Sequence, residues 1–391
     1  MKDWKECKLG DVAEIIDCEH KTAPVVERSN FLSIRTTDIK NGKINYENAN
    51  RVSEQTYIEW TKRKRPQAGD IIFAREAPVG EVGWINEKHR ICLGQRTVLL
   101  RADNIKIDSR YLLYKLVNNE TKFDLINQSS GSVVAHINVR NIRDFNLIMH
   151  ANMNEQRAIA AILSSLDDKI DLLHRQNKTL EAMAETLFRE KFIVNSEKWK
   201  IGQVSDLIEF NPMRSLPKGT VAPYLEMANV STNVFHPEHW YDREFSSGMK
   251  FINGDTLLAR ITPCLENGKS SYVTFLKDGQ VGWGSTEFII MRSKEKLHTL
   301  FTYALARNRD FRDYAEGCLE GSSGRQRVNI DHLVKFEINI PSDDVIQNFN
   351  SLMKGIEPKL QNNFYQIQTL TKLRDTLLPK LMSGEIRVKS E

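Results

Sequence analysis

The 391-residue chain is too long for one ordinary hydrophobic core and suggests two to four compact units. Charged residues make up 27% and hydrophobic ones 40%, which excludes wholesale disorder, and no run approaches the roughly 20 apolar residues of a membrane-spanning helix. With 55 Lys plus Arg against 51 Asp plus Glu the net charge is only +4, so any polyanion must be met by local basic clusters.

Met1 to Gly10 carries Lys2, Asp3, Lys5, Glu6 and Lys8 with no apolar segment behind them. No secretory signal is expected, and the chain is expected in the cytoplasm. The five cysteines, Cys7, Cys18, Cys92, Cys264 and Cys318, are scattered and form no Cys-x-x-Cys pair, so neither a disulfide framework nor a zinc site is expected.

The first half mixes short strand-like runs, Ile71 to Ala74 and Val98 to Leu100, with loops rich in Gly, Ser, Thr, Asn and Arg, an α+β pattern. Its loops hold Arg35-Thr36-Thr37, the basic run Lys62-Arg63-Lys64-Arg65, Gln95-Arg96-Thr97 and His136-Ile137-Asn138. Arg75 directly follows an apolar run, where a strand end can present a guanidinium fork to guanine or phosphate. A plain ion pair with a neighbour such as Glu76 accounts for it equally well.

From Leu163 the period changes. Leu163, Leu166, Ile170, Leu173, Asn177, Leu180, Ala184 and Leu187 alternate by three and four, a heptad seam. A helix from about Glu155 to Phe192 would extend about 57 Å and project from its own domain. Asn152 and Asn154 mark its start, and Phe192 to Lys198 reads as a linker. Asn177 interrupts the seam, either as a register device or as a polar residue at the seam edge.

The second half repeats the first. Trp4-Lys5 recurs as Trp199-Lys200, and Asp11 to Glu14 as Asp206 to Glu209. Gly69 to Pro78 aligns with Gly254 to Pro263, Gly94 and Val98 to Leu100 with Gly284 and Phe288 to Ile290, and Ser129 to Gly131, Asn138 and Phe145 with Ser322 to Gly324, Asn329 and Phe336. Arg260 thus stands where Arg75 does. The candidate readers of this half are Asn229, Ser231, Thr232 and the adjoining Asn233, then Ser285 and Thr286, and Ser322 to Asn329 with Arg325 and Arg327. Arg, Gln and Asn suit base edges and Ser and Thr suit phosphates. The skeleton agrees between halves while these polar positions differ, as expected of two equivalent domains reading different short sequences, and as drifting surface loops also would. The chain closes on a second seam, Met353, Ile356, Leu360, Asn363, Ile367, Leu370, Arg374 and Leu377, introduced by Pro341.

Sequence motifs for chemistry are near misses. Gly268-Lys269-Ser270 lacks the first glycine of a phosphate loop, Gly282-Trp283-Gly284 lacks the third glycine of a dinucleotide fingerprint, and Asn211-Pro212-Met213-Arg214 lacks the second proline and aromatic of an adenine methyltransferase motif. His236-Pro237-Glu238-His239 is short of a third metal ligand. No catalytic centre is expected.

A globular unit, a long helix, a second globular unit and a second long helix, together with Leu373 to Ile386 at the C-terminus, Asn154 to Ala160 opening the first helix, and the pairs Gly69-Asp70 and Gly254-Asp255, resemble the specificity subunits of type I restriction-modification systems. The second helix departs from that pattern, beginning Asp343-Asp344-Val345-Ile346-Gln347 without the usual Glu-Gln pair. The resemblance implies an α+β fold with a pseudo-two-fold internal repeat: target recognition domains at 1–152 and 196–341, and spacer helices at 153–195 and 342–391 that form an antiparallel coiled coil. It implies that the partners are double-stranded DNA with a bipartite, asymmetric site, two modification subunits and restriction subunits, with no membrane. It implies no cofactor in this chain, S-adenosylmethionine, ATP and Mg belonging to the partner subunits. The spacer would act as a ruler, so that residues inserted in Leu163 to Leu187 lengthen the gap between half-sites. A specificity-type subunit serving a fused methyltransferase-nuclease, or a scaffold whose globular ends bind proteins, would share this architecture.

Overall fold

The computed structural model describes residues 3–86, 89–127, 136–194, 199–232, 234–237, 239–322 and 324–388. Of the repeat positions, Ser129 to Gly131 and Ser323 lie outside the described residues, as do Asn233, Glu238 and 195–198 of the expected linker. The chain divides into two compact units, residues 1–169 with 370–391, and residues 170–369.

In the first unit β1 (Trp4–Lys8) leads through one helical turn to β2 (Ala13–Asp17), followed by β3 (Phe31–Ile34), β4 (Ile71–Ala74), β5 (Val82–Trp84), β6 (Arg90–Leu93), β7 (Thr97–Ala102), α1 (Ser109–Val117) and β8 (Asn146–His150). An antiparallel sheet runs β2-β7-β4-β5, β1 pairs antiparallel with β8, and β3 runs parallel to β6. Every residue of β4 is buried, which is why its sequence is a continuous apolar run and does not alternate. Asp108 caps α1 by accepting from the Tyr111 N–H at 2.9 Å.

The second unit repeats this plan with β9 (Lys200–Gln203), β10 (Ile208–Phe210), β11 (Val221–Leu225), β12 (Thr256–Ala259), β13 (Ser270–Tyr272), β14 (Gly282–Gly284), β15 (Phe288–Ser293) and β16 (Glu337–Ile340). Its sheet runs β10-β15-β12-β13, β9 pairs with β16, and β11 runs parallel to β14. Between β15 and β16 lies a helix, Leu300–Arg307. The internal repeat is therefore one of topology as well as of sequence.

The Gly-Asp pairs have a structural role. Asp70 and Asp255, 1% and 0% exposed, each close the turn before the central strand by accepting from the Gln67 and Ile252 N–H groups at 2.9 and 2.8 Å. Each also binds an arginine of the neighbouring strand: Arg101 donates to Asp70 at 2.7 and 2.8 Å, and Arg292 to Asp255 at 2.5 Å. Arg214 adds two contacts to Asp255, at 2.9 and 3.0 Å.

Strand register corrects the sequence alignment by one residue. Val98 faces Phe73 while Ile289, not Phe288, faces Leu258, so Val98 to Leu100 corresponds to Ile289 to Met291. Gly94 and Gly284 do correspond: a Cβ there would meet the carbonyl oxygen of Ile34 at 2.5 Å and of Leu225 at 2.6 Å, where the parallel strands approach. The connection after the glycine is thus one residue longer in the second unit, Ser285-Thr286-Glu287 against Gln95-Arg96.

Two long helices complete the chain, α2 (Met153–Phe188, 36 residues) and α4 (Asp343–Ser383, 41 residues), the helix Leu300–Arg307 being α3. They pair antiparallel within each unit considered alone. In the first unit Asp167 meets Arg374 at 2.8 Å and Glu155 meets Arg387 at 3.8 Å. In the second, Asn177 bonds Asn363 at 2.8 Å and the Phe192 and Phe349 rings lie 5.1 Å apart. In each pair the first partner's number rises as the second's falls. Of the seam residues, Leu163, Ile170, Leu173, Ile356, Leu360 and Asn363 are buried, and Leu166, Asn177, Leu180, Leu187, Ile367, Leu370 and Leu377 are partly buried.

The helix ends enter the cores. Leu381 and Met382 join the first unit's core, after which Gly384, at φ +75°, terminates α4 in the left-handed conformation that glycine tolerates. Phe188 and Phe192 join the second unit's core. Phe192 is fully buried, its ring 4.9 Å from that of Phe301. The linker expected from Phe192 therefore begins later: Arg189–Val194 continues the helix as a π-helical turn that seats this aromatic anchor.

Candidate nucleic-acid interface

In the first unit, β4 ends in a cluster that assembles several of the expected reader residues. Arg75, 8% exposed, donates through Nε to the Ile137 carbonyl at 3.0 Å, through Nη1 to Asp17 at 3.0 Å and through Nη2 to His136 Nε2 at 3.1 Å. Because arginine has no acceptor, Nε2 accepts, and the Nδ1 of His136 faces Glu76 at 2.6 Å. Arg96, with 56% of its side chain exposed, pairs with the other Glu76 oxygen at 2.9 Å. Asn138 lies 3.1 Å from His136, and Thr36 donates to the Ala77 carbonyl at 3.2 Å. Gln95, beside Arg96, accepts from Thr22 at 3.3 Å. Asp17, and not the adjacent Glu76, is the carboxylate that engages Arg75.

The remaining candidates of this unit make other contacts or lie exposed. Arg35 closes its own turn on Asp38 at 2.7 and 3.0 Å, and its guanidinium is held above its ordinary pKa chiefly by that hydrogen bond. Thr37 and Lys62 are exposed. Arg63 donates to the Asp17 and Cys18 carbonyls at 3.3 Å, Lys64 pairs with Glu14 at 2.7 Å, and the Arg65 carbonyl accepts from Arg101 at 2.8 Å. The basic run is thus partly neutralised along β2.

The second unit rebuilds the same frame. Backbone N–H groups of Arg75 and Arg260 donate to the Arg96 and Glu287 carbonyls at 3.0 and 2.8 Å, and those of Ile137 and Val328 to the Arg75 and Arg260 carbonyls at 3.1 and 2.9 Å. The Nε of Arg260 donates to the Val328 carbonyl at 3.1 Å, as that of Arg75 does to Ile137. Arg75 and Arg260 are therefore clamps that tie a strand end to the loop beside it. Glu76 bridges His136 as Ile261 bridges Arg327. Arg327 grips Glu287 with Nε 3.0 Å from both oxygens and Nη2 2.7 Å from Oε1, a hydrogen bond that raises the guanidinium pKa further.

Around this frame Ser285 accepts from the Glu287 N–H at 3.1 Å, Thr286 is exposed, and Asn329 caps the following turn by accepting from Asp331 at 2.9 Å. Ser322 and Arg325 are exposed in the turn before Arg327. Asn229 and Ser231 are partly buried in the segment after β11, and the neighbouring Thr232 carbonyl accepts from Arg307 at 2.6 Å. The carboxylates Asp17, Glu76 and Glu287 were not among the expected site residues. Each is distant in sequence from its arginine partner or separated from it by a loop, which a single sequence does not reveal.

The near-miss motifs have local explanations. Lys269 donates to the Met227 carbonyl at 2.9 Å, and the Asn211 side chain accepts from Ile290 at 2.8 Å. His236 is buried 4.0 Å from the Phe364 ring, and burial holds its imidazole well below the ordinary value, at about 3. Among the described residues no group of three or more His, Cys, Asp or Glu could hold a metal ion, and no helix is long and apolar enough to cross a membrane.

Residues 1–182 match the family model described as the type I restriction modification DNA specificity domain. The chain is 25% identical to the MjaIX type I restriction enzyme specificity subunit of Methanocaldococcus jannaschii, over 99% of this chain and 94% of that one. It is 21% identical to the HindI specificity subunit of Haemophilus influenzae, over 99% and 100%. The solved S subunit of a type I system from M. genitalium shares the fold, with a TM-score of 0.59 at 14% identity over 97% of this chain and 96% of that one. Over residues 1–182 the chain matches the type I specificity domain, and over nearly its whole length, with two topologically matched α+β domains and two antiparallel long helices, it is similar to type I restriction enzyme specificity subunits.

Proposed function

We propose that this chain is the DNA-reading subunit of a type I restriction-modification complex. Each globular domain, 1–152 and 196–341, reads one half of a bipartite site, and the helices within 153–195 and 342–391 set the half-site spacing and dock two modification subunits. The observation that carries this is the matched frame at β4 and β12: matching backbone hydrogen bonds hold different polar side chains, Arg96 and His136 in one unit against Glu287 and Arg327 in the other. Two recognition sites of one design but different chemistry suit an asymmetric target.

Adenine methylation with S-adenosylmethionine, and cleavage with ATP and Mg, would reside on modification and restriction subunits, leaving this chain non-catalytic and in the cytoplasm. The test is duplex binding by the full chain over a range of salt. A steep fall in log K against log salt, on top of sequence preference, is expected from phosphate neutralisation. Salt-insensitive or undetectable DNA binding would support a protein-binding scaffold instead.

A further inference from the structure

We infer that the two units discriminate different bases through an acid–arginine pair shifted by one place on a shared frame: Glu76, Arg96 and His136 in the first unit, Ile261, Glu287 and Arg327 in the second. The correspondence follows from the backbone. Glu76 and Ile261 each follow the clamp arginine, Arg96 and Glu287 each accept its N–H, and His136 and Arg327 each bridge the residue after it. In the first unit the acid stands at the first position, the arginine at the second and the imidazole at the third. In the second unit the acid has moved to the second position, with the cation at the third and an apolar residue at the first. The acid–arginine pair is moved one place along while its scaffold is kept.

A purely structural pair at these positions would stabilise little, because Arg96 and Arg327 have 56% and 47% of their side chains exposed and water screens such pairs. Recognition is a different matter. Arginine donates to guanine O6 and N7, and glutamate accepts from the cytosine amino group, so relocating the acid and the arginine on one frame changes which base pair fits. The bidentate grip of Arg327 on Glu287 also holds a long side chain in one geometry before DNA arrives, which lowers the ordering cost of binding. This deepens the DNA-reading function proposed above and rests on it.

The experiment selects duplexes from a randomised pool with the full chain and sequences those retained. The reversal Glu287→Arg with Arg327→Glu keeps the ion pair, and it is expected to change the preferred base at one or two positions of one half-site by about tenfold while leaving the other half-site unaltered. A folded reversal variant with the wild-type preference in both half-sites overturns the triad while the DNA-reading function stands. A wild-type chain that selects no sequence overturns both. Should the reversal variant not fold, as judged by circular dichroism, Arg327→Gln decides: loss of discrimination at the same position, by about fivefold or more, supports the triad, and an equal loss on every sequence makes Arg327 a phosphate contact and overturns it. Arg96→Gln is expected to act on the opposite half-site.

Discussion

The Nδ2 of Asn363 donates to Oδ1 of Asn177 at 2.8 Å, so the polar residues that interrupt the two apolar seams satisfy each other within the second unit. Of the two sequence readings of Asn177, this geometry agrees with a register device: a shift of either helix would separate the amides. Asn177→Leu should cost about 1–3 kcal/mol, because it strips a partner from Asn363, which is only 7% exposed. Replacing both by Leu should be nearly neutral in urea denaturation. Equal destabilisation by the single and the double variant would contradict the pairing.

Asp255 is fully buried between Arg214 and Arg292, and Asp255→Ala would leave two guanidinium groups facing each other without a counter-charge. A loss of about 3 kcal/mol is expected from equilibrium unfolding. A change below 1 kcal/mol would show that the Gly-Asp turn is not held by this network.

Burial raises the Glu181 carboxyl from its ordinary 4.5 to about 7, against the opposing hydrogen bond from Tyr303 at 2.8 Å. A carboxyl whose folded pKa is raised binds more protons folded than unfolded. Its contribution is therefore complete below about pH 4.5 and is lost as pH rises through 7. Buried His150 and His236, held down to about 4 and about 3, act in the opposite sense, their stabilising share being lost on acidification. The difference between wild type and Glu181→Gln isolates the carboxyl. The variant should gain relative stability between pH 5 and 8, by on the order of 3 kcal/mol at the upper end. A pH-independent difference in thermal melts would remove Glu181 as the cause.

Arg75→Ala is expected to act through folding. The sequence alone allows Arg75 a bidentate base contact worth about 1–3 kcal/mol at one half-site. In the structure its guanidinium is occupied by Asp17, His136 and the Ile137 carbonyl. The variant should lose about 2 kcal/mol of stability and retain its base preference, binding every sequence in proportion to the folded fraction. Altered preference in a chain of wild-type stability would return Arg75 to direct readout.

Much of this architecture is legible in the sequence because it repeats local physical signals. The heptad spacing from Leu163 and Met353 marks α2 and α4, and Gly69-Asp70 and Gly254-Asp255 mark matched turns before all-buried strands. What the sequence hides depends on distance or on a single inserted residue. Ser285-Thr286-Glu287 carries one more residue than Gln95-Arg96, and because strand side chains alternate, that insertion is resolved only by pairing with β12. Phe192 lies in a segment with linker composition, and its burial against Phe301 and Phe349 requires partners more than a hundred residues away. The candidate interface is half visible. Its arginines stand out by type, whereas Asp17 and Glu287, which decide how those arginines are held, do not.

The most direct test of the central claim is the DNA motif enriched by the full chain, compared with that of a variant carrying one added heptad in each long helix. Two different short half-sites separated by an unspecified gap are expected, with the gap alone changing in the variant. A single uninterrupted motif, or half-sites that change while the gap does not, would contradict the account.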